Sequence, residues 1–212
     1  MTMTYQAVLR SCVLVLLLPL CLDNVRAEET VDVLMSTSAG DVVLELYPES
    51  APLSVNNFLR YVDGGYYEHS QIYRVVRLDN QAQNKIKIEV IQGGLGMATE
   101  KPPFGPIAHE STETSGVRHT DGVISMARLE PGTAASEFFI CINDQPELDF
   151  GGGRNPDGKG FAAFGKVISG MDVVRAIQNT KTDSPADGEL EYTSGQILLE
   201  PVIIRQISRL AD

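Results

Sequence analysis

The sequence contains no tryptophan, and only three cysteines in 212 residues. Without Trp the chain lacks the strongest stacking side chain, and its charge argues the same way. Seventeen Lys and Arg face 28 Asp and Glu, a net charge of −11 at pH 7. So acidic a chain repels phosphate backbones, which excludes a nucleic-acid partner as the default. No low-complexity tract and no repeat with a period of about 20–50 residues stands out, which argues against solenoids and disordered polymers. No G-x-S-x-G elbow occurs, and Gly94-Leu-Gly96 lacks the third glycine and following helix of a dinucleotide cradle. His69, His109 and His119 show no metal-ligand spacing. Asn155-Pro-Asp157-Gly158 fails as a calcium loop because Gly153 and Phe164 fall at the first and twelfth ligand positions. The expectation is therefore a protein without metal or cofactor.

Long apolar runs are absent too. The longest, Cys12 to Leu22, has eleven residues, whereas spanning a bilayer takes about 18 or more. Arg10 precedes the run, and Asp23 to Ala27 follow it with a V-x-A end. A basic start, a short apolar centre and a small final residue read as a secretory signal cleaved after Ala27. Bulky Leu20 before Cys21 argues against a lipid anchor, so no stable membrane attachment is expected. Cleavage removes Arg10, Arg26 and Asp23, taking the net charge from −11 to −12, and it leaves Cys141 as the only cysteine. An exported domain without an internal disulfide relies on its core. The absence of an N-x-S/T sequon and of an ER-retention terminus fits a bacterial periplasm.

The remainder, 28–212, reads as one domain, with 43% apolar residues over the whole chain. Val31 to Thr37 and Asp41 to Tyr47 are strand-like runs around Ser38-Ala39-Gly40, which predicts a hairpin. Val55, Phe58, Leu59 and Val62 recur at helical spacing between Pro52 and Gly64-Gly65, which predicts one amphipathic helix. Further strands are expected over Gln71–Leu78, Lys85–Gln92, Gly122–Ala127, Ser136–Ile142 and Phe161–Val167. A second helix is expected over Asp172–Gln178, and one or two closing strands over Gln196–Leu210. Many short strands with two helices indicate a closed antiparallel barrel or a sandwich, not a doubly wound sheet.

Arg74 stands among apolar neighbours in Ile72-Tyr-Arg-Val-Val-Arg-Leu78. Strand alternation puts it on the face of Ile72, Val76 and Leu78, where an arginine ordinarily snorkels or pairs with a carboxylate. In Ser136-Glu-Phe-Phe-Ile-Cys-Ile142, Phe138 aligns with Ser136, Ile140 and Ile142 as core. Phe139 aligns with Glu137 and Cys141 on a half-exposed face, either as plain strand surface or as the floor of an apolar pocket. Cys141 reads as a small buried hydrophobe rather than a nucleophile.

Several stretches together resemble the cyclophilin-type peptidyl-prolyl isomerases, and exported bacterial members above all. They are Ala51-Pro-Leu-Ser-Val-Asn-Asn-Phe-Leu-Arg-Tyr-Val, Tyr73-Arg-Val-Val, Ile91-Gln-Gly-Gly, Gly122-Val-Ile-Ser-Met-Ala, Ser136-Glu-Phe-Phe-Ile, Glu147-Leu-Asp and Phe164-Gly-Lys-Val-Ile-Ser-Gly-Met-Asp-Val-Val. They occur in family order across nearly the whole of 28–212. The resemblance implies an all-β-dominated fold, a closed eight-stranded antiparallel barrel capped by two α-helices. It also implies isomerisation of X–Pro bonds in proline-containing segments of folding exported proteins, by a monomer.

By the same resemblance Arg74 matches the catalytic arginine and Gln92 its polar companion at the substrate. Phe139 and Leu148 match walls of the proline pocket. Ala127, Arg128 and Glu137 match positions along the peptide groove, and Phe161 matches its aromatic or histidine flank.

The chain departs from the family in three places. About ten extra residues, roughly Leu78 to Ile88, separate Arg74 from Gln92, and Glu89 and Val90 replace an aromatic and a methionine. The expected pocket is therefore shallower, or completed by the inserted loop. Glu147 stands where many members carry the tryptophan that contacts cyclosporin, which predicts weak inhibition by that drug. Glu137 replaces a usual glutamine, which predicts a preference for neutral or basic residues around the proline. A cyclophilin-like proline-segment binding module or chaperone with little isomerase activity is the competing reading.

Overall fold

A computed structural model describes residues 29–96, 101–183 and 192–211. The expected signal segment, 1–27, lies outside the described residues. Eight strands close into one barrel: β1 (Val31–Thr37), β2 (Asp41–Leu46), β3 (Gln71–Val76), β4 (Val90–Gly94), β5 (Val123–Met126), β6 (Phe138–Cys141), β7 (Ala162–Ser169) and β8 (Ile197–Arg209). The order around the barrel is β1-β2-β7-β5-β6-β4-β3-β8, and every neighbouring pair is antiparallel. Of the two architectures open to the strand pattern, the closed barrel is the one that forms, and it leaves no free sheet edge.

The β1–β2 hairpin turns at Gly40, whose φ of +135° suits glycine. Period-two burial in both strands sends Val33, Met35, Val42, Leu44 and Leu46 inward. Helix α1 (Pro52–Asp63) opens on Pro52, and the carboxylate of Glu110 accepts from the N–H groups of Leu53 and Ser54 at 3.2 and 3.0 Å. A distant anion thus caps its first turn. Phe58 reaches from α1 into the barrel, with ring centroids 5.3 Å from Tyr67, 5.7 Å from Phe138 and 5.3 Å from Phe164. Each such buried side chain contributes about 1.5–3 kcal/mol. A short helix, α2 (Thr112–Ser115), precedes β5, and α3 (Met171–Gln178) packs on the outside with Val174 and Ile177 buried.

Two expected elements change. The Lys85–Gln92 strand is reduced to β4, which begins at Val90. The alternation of Lys85, Ile86, Lys87 and Ile88 imitates a strand, but buried Gln81 takes the place of a strand partner. Its Nε2 donates to the Ile88 carbonyl at 2.7 Å and its Oε1 accepts from the Ile88 N–H at 3.2 Å. The closing segment is one strand, β8, despite Pro201. Pro201 cannot donate to a ladder, and it falls in the irregular stretch between the Arg74–Ile197 and Ile72–Val202 pairs.

Candidate active site

A second apolar cluster lies outside the barrel wall, apart from the main core. It contains Val76, Ile88, Val90, Phe139, Cys141, Leu148 and Phe161, with Ala127 against it. Strand period explains half of it: in β6, Phe138 and Ile140 point into the barrel while Phe139 and Cys141 point out. Phe139 is not half-exposed as its alternation suggested but 4% exposed. Segments from outside the sheet cover it, bringing Ile88 from one side and Leu148 and Phe161 from the other. Phe139 and Phe161 meet edge to face at 5.2 Å, and His119 stacks behind Phe139 at 5.9 Å. Burial holds the Cys141 thiol well above its ordinary pKa, which leaves it a packing residue.

Arg74 reaches the same side of the wall through a β-bulge. The β3–β4 and β3–β8 ladders both shift register between Ile72 and Arg74, around Tyr73. The alternation expected from sequence therefore breaks: Ile72 and Val75 enter the core, while Arg74 and Val76 face outward. Tyr73 turns the same way, so two consecutive side chains serve one site.

Arg74 is 6% exposed and held by amides. Its Nη1 donates to Gln92 Oε1 at 2.7 Å, and its Nε and Nη2 donate to Gln196 Oε1 at 2.9 and 2.7 Å. The chain of bonds runs on in one direction. Gln92 Nε2 donates to the Tyr73 hydroxyl at 2.8 Å, and that hydroxyl donates to Glu137 Oε2 at 2.6 Å. Glu137 also accepts from the Gly96 N–H at 3.0 Å and the Ser136 hydroxyl at 3.1 Å. Burial raises the Glu137 pKa, and these donors oppose the rise only in part. The Tyr73 phenol is pushed up by burial and by Glu137. The Tyr192 ring centroid lies 4.8 Å from the Arg74 guanidinium carbon. Burial pushes the Tyr192 phenol up, but Arg74 and Arg154 outweigh it and bring the pKa below the ordinary tyrosine value.

One cavity of about 550 Å³ joins the polar chain to the apolar cluster. Its lining includes all eight residues singled out in the sequence: Arg74, Gln92, Ala127, Arg128, Glu137, Phe139, Leu148 and Phe161. Sequence reasoning missed Val76, Ile88 and Tyr192 as lining residues, and it had Val90 only as a replacement that made the pocket shallower. The alternation around Arg74 carried a signal for Val76. Nothing local marked Gln196, which lies 122 residues from Arg74. Ile88 and Val90 supply the apolar wall that the altered stretch before Gln92 put in question, so the inserted loop helps complete the pocket.

Arg128 lines the cavity but offers it no donor. Its five N–H groups go to the carbonyls of Gly160 and Leu129 and to both carboxylate oxygens of Asp157. What it presents is a flat guanidinium 5.1 Å from the Phe161 ring centroid. The exposed carboxylate of Glu147 accepts from the Gly153 N–H at 2.8 Å.

The site is thus an apolar pocket with a buried cationic donor fork at its edge. Residues 31–207 match the family model described as cyclophilin type peptidyl-prolyl cis-trans isomerase/CLD. The chain is 35% identical over 174 residues to the peptidyl-prolyl cis-trans isomerase cyp18 of Streptomyces antibioticus, covering 80% of this chain and 93% of that one. It is 35% identical over 150 residues to the peptidyl-prolyl cis-trans isomerase B of Escherichia coli, covering 69% and 83%. A crystal structure of a Cryptosporidium parvum cyclophilin type peptidyl-prolyl cis-trans isomerase shares the fold, with a TM-score of 0.63 and 22% identity over 87% of this chain and 99% of that one. A second crystal structure of that protein was obtained in the presence of the dipeptide Ala-Pro, with the same TM-score over 85% and 99%. Fold, cavity and sequence agree: the chain belongs to the cyclophilin-type peptidyl-prolyl cis-trans isomerases, a family of isomerases that bind proline-containing peptides.

Proposed function

We propose that the protein accelerates rotation about X–Pro bonds by stabilising the twisted amide non-covalently, and so assists folding of exported proteins. The observation that carries this reading is Arg74. It is a buried guanidinium at the edge of an apolar pocket, held by two neutral amides.

Rotation about the X–Pro bond meets a barrier of roughly 20 kcal/mol because amide resonance is lost on the way. A catalyst must hold the twisted bond better than either planar isomer. Phe139, Leu148, Ile88 and Phe161 grip the proline ring while the acyl side turns. Resonance loss makes the prolyl nitrogen pyramidal and more basic, and Arg74 donates to it or to the carbonyl oxygen. The donor is already oriented and charged, so it needs no reorganisation as the amide twists. Gln92 holds the fork and contributes a polar contact to the peptide. Ala127, Arg128 and Glu137 line the path of the flanking residues, with Glu137 favouring neutral or basic side chains there. The segment 1–27 directs export to the periplasm, and the isomerase works as a monomer.

NMR exchange spectroscopy on a short X–Pro peptide tests the reading. Catalysed cis/trans interconversion is expected with the wild type and is lost in Arg74→Ala with its spectral fingerprint retained. Binding without accelerated exchange would instead make the chain a proline-segment binding module. Fusion of residues 1–27 to a reporter tests export: a cytoplasmic, uncleaved product overturns that part.

A further inference from the structure

We propose that Gln196 is a positioning residue for Arg74, orienting the guanidinium without neutralising it, and that the loop after β3 fixes Gln196 in turn. The inference rests on the reading of Arg74 as the group that acts on the twisted amide. Gln196 is fully buried just before β8, and its single Oε1 accepts from both Nε and Nη2 of Arg74. Two donors of one rigid fork meeting one oxygen set the plane of the guanidinium, where a single contact leaves it free to rotate. Gln92 takes a third N–H from the other side. The two N–H groups left over belong to the Nη atoms, and the guanidinium also donates to the Tyr192 hydroxyl.

Gln196 is itself anchored. Its carbonyl accepts from the Val75 N–H at 2.9 Å, its N–H donates to the Thr193 carbonyl at 3.0 Å, and its Nε2 donates to the Asn80 carbonyl at 3.3 Å. Asn80 sits at the start of the inserted loop. Its Nδ2 donates to the carbonyls of Val75 and Gly195, both at 3.0 Å, and its Oδ1 accepts from the Arg77 N–H at 2.7 Å. The insertion therefore ties the end of β3 to the residues entering β8, and Gln196 passes that rigidity to Arg74.

The choice of an amide has a chemical reason. A carboxylate here would accept the same two bonds and hold them more tightly. It would also cancel the charge with which the guanidinium meets the substrate, at a buried site where screening is weak. Among the described residues, no carboxylate forms an ion pair with Arg74.

The test measures kcat and KM from pH 5 to 8 for the wild type, Gln196→Leu and the near-isosteric Gln196→Glu, with Arg74→Ala as control. Gln196→Leu is expected to lose about 10- to 100-fold in kcat, the scale of a misplaced catalytic group, with KM within about twofold. Gln196→Glu keeps both bonds to Arg74 but cancels its charge, and the adjacent guanidinium holds the new carboxyl ionised. This variant is therefore expected to lose kcat at every pH from 5 to 8 while its fold and KM are retained. Wild-type kcat in Gln196→Leu, or a Gln196→Glu as active as the wild type, overturns the proposal. Gln196→Glu decides the matter by itself where the leucine variant does not fold. If Arg74→Ala keeps wild-type activity, the reading of Arg74 has failed; if only Gln196→Leu does, this inference alone has failed.

Discussion

Arg74 and Arg128 line the same cavity and are held in opposite ways. Arg74 rests on two glutamine oxygens and also bonds to the Tyr192 hydroxyl, all of them uncharged partners. Arg128 has all five engaged, two of them on the carboxylate of Asp157, and its side chain is 1% exposed. Both are oriented, but of the two only Arg74 keeps a charge that no carboxylate neutralises. Two arginines read as one kind of residue in a sequence thus divide into a group able to act on a bound peptide and a brace beneath Phe161. The resemblance assigns both to the peptide site, and the hydrogen-bond inventory separates them.

The comparison can be broken or sharpened by experiment. The largest effect is expected from Arg74→Ala, which should lower kcat by about 100- to 1,000-fold, as loss of one preorganised donor does elsewhere. Because that change strands two buried amide oxygens, Arg74→Lys is its companion: it keeps the charge, loses the fork and should stay at least about 10-fold down. An Arg128→Met loss as large as that of Arg74→Ala would erase the distinction.

Asp157→Ala should act on the brace alone. It leaves the Arg128 guanidinium without its charged partner and should cost about 2 kcal/mol of stability in denaturant titrations, with kcat within about twofold. A large fall in kcat without loss of stability would contradict this. Ile88→Ala probes the wall that both arginines flank. On the proposed role of Ile88 against the proline ring, losing that apolar contact, about 1 kcal/mol, should raise KM about fivefold and spare kcat.

His119 gives the smallest effect and a third kind of environment. Its Nδ1 lies 2.8 Å from Asp149 and its Nε2 lies 3.0 Å from the Ser125 hydroxyl, yet burial lowers its pKa against the pull of Asp149. A histidine neutral when folded but protonated when unfolded contributes stability above its ordinary pKa near 6.5. That stability is lost as the pH falls below this value, by up to about 1.4 kcal/mol per pH unit. Denaturation at pH 7.5 and 5.5 should show a smaller acid loss in His119→Gln than in the wild type. An unchanged difference would mean that His119 is protonated in the fold.

Much of this was legible in the residues. Alternation gave β1, β2 and the two faces of β6, and 3.6-residue spacing with Pro52 gave α1, because these patterns report a local choice between solvent and core. The same rule misread Lys85–Gln92, where a single buried glutamine satisfies the backbone, and it misplaced Arg74 relative to Ile72, because a bulge reverses the count. A bulge is decided by both neighbouring strands, and neither neighbour is local to Tyr73. The pocket showed the same limit: Phe139 and Leu148 stood in recognisable stretches, whereas Ile88 lay in an insertion with nothing to align it.

By itself the sequence determined the acidity, the strand-rich class and the short stretches that carry the family resemblance, and it was that resemblance which chose barrel over sandwich and marked Arg74, Gln92 and Phe139. Only the tertiary structure decided which arginine keeps its charge unpaired, that the inserted loop completes the pocket, and that Gln196 meets Arg74. These depend on closing the barrel through β8, which brings residues 122 positions apart within hydrogen-bonding distance. Such contacts are set by how strands pair in space, and no local pattern of side chains records them.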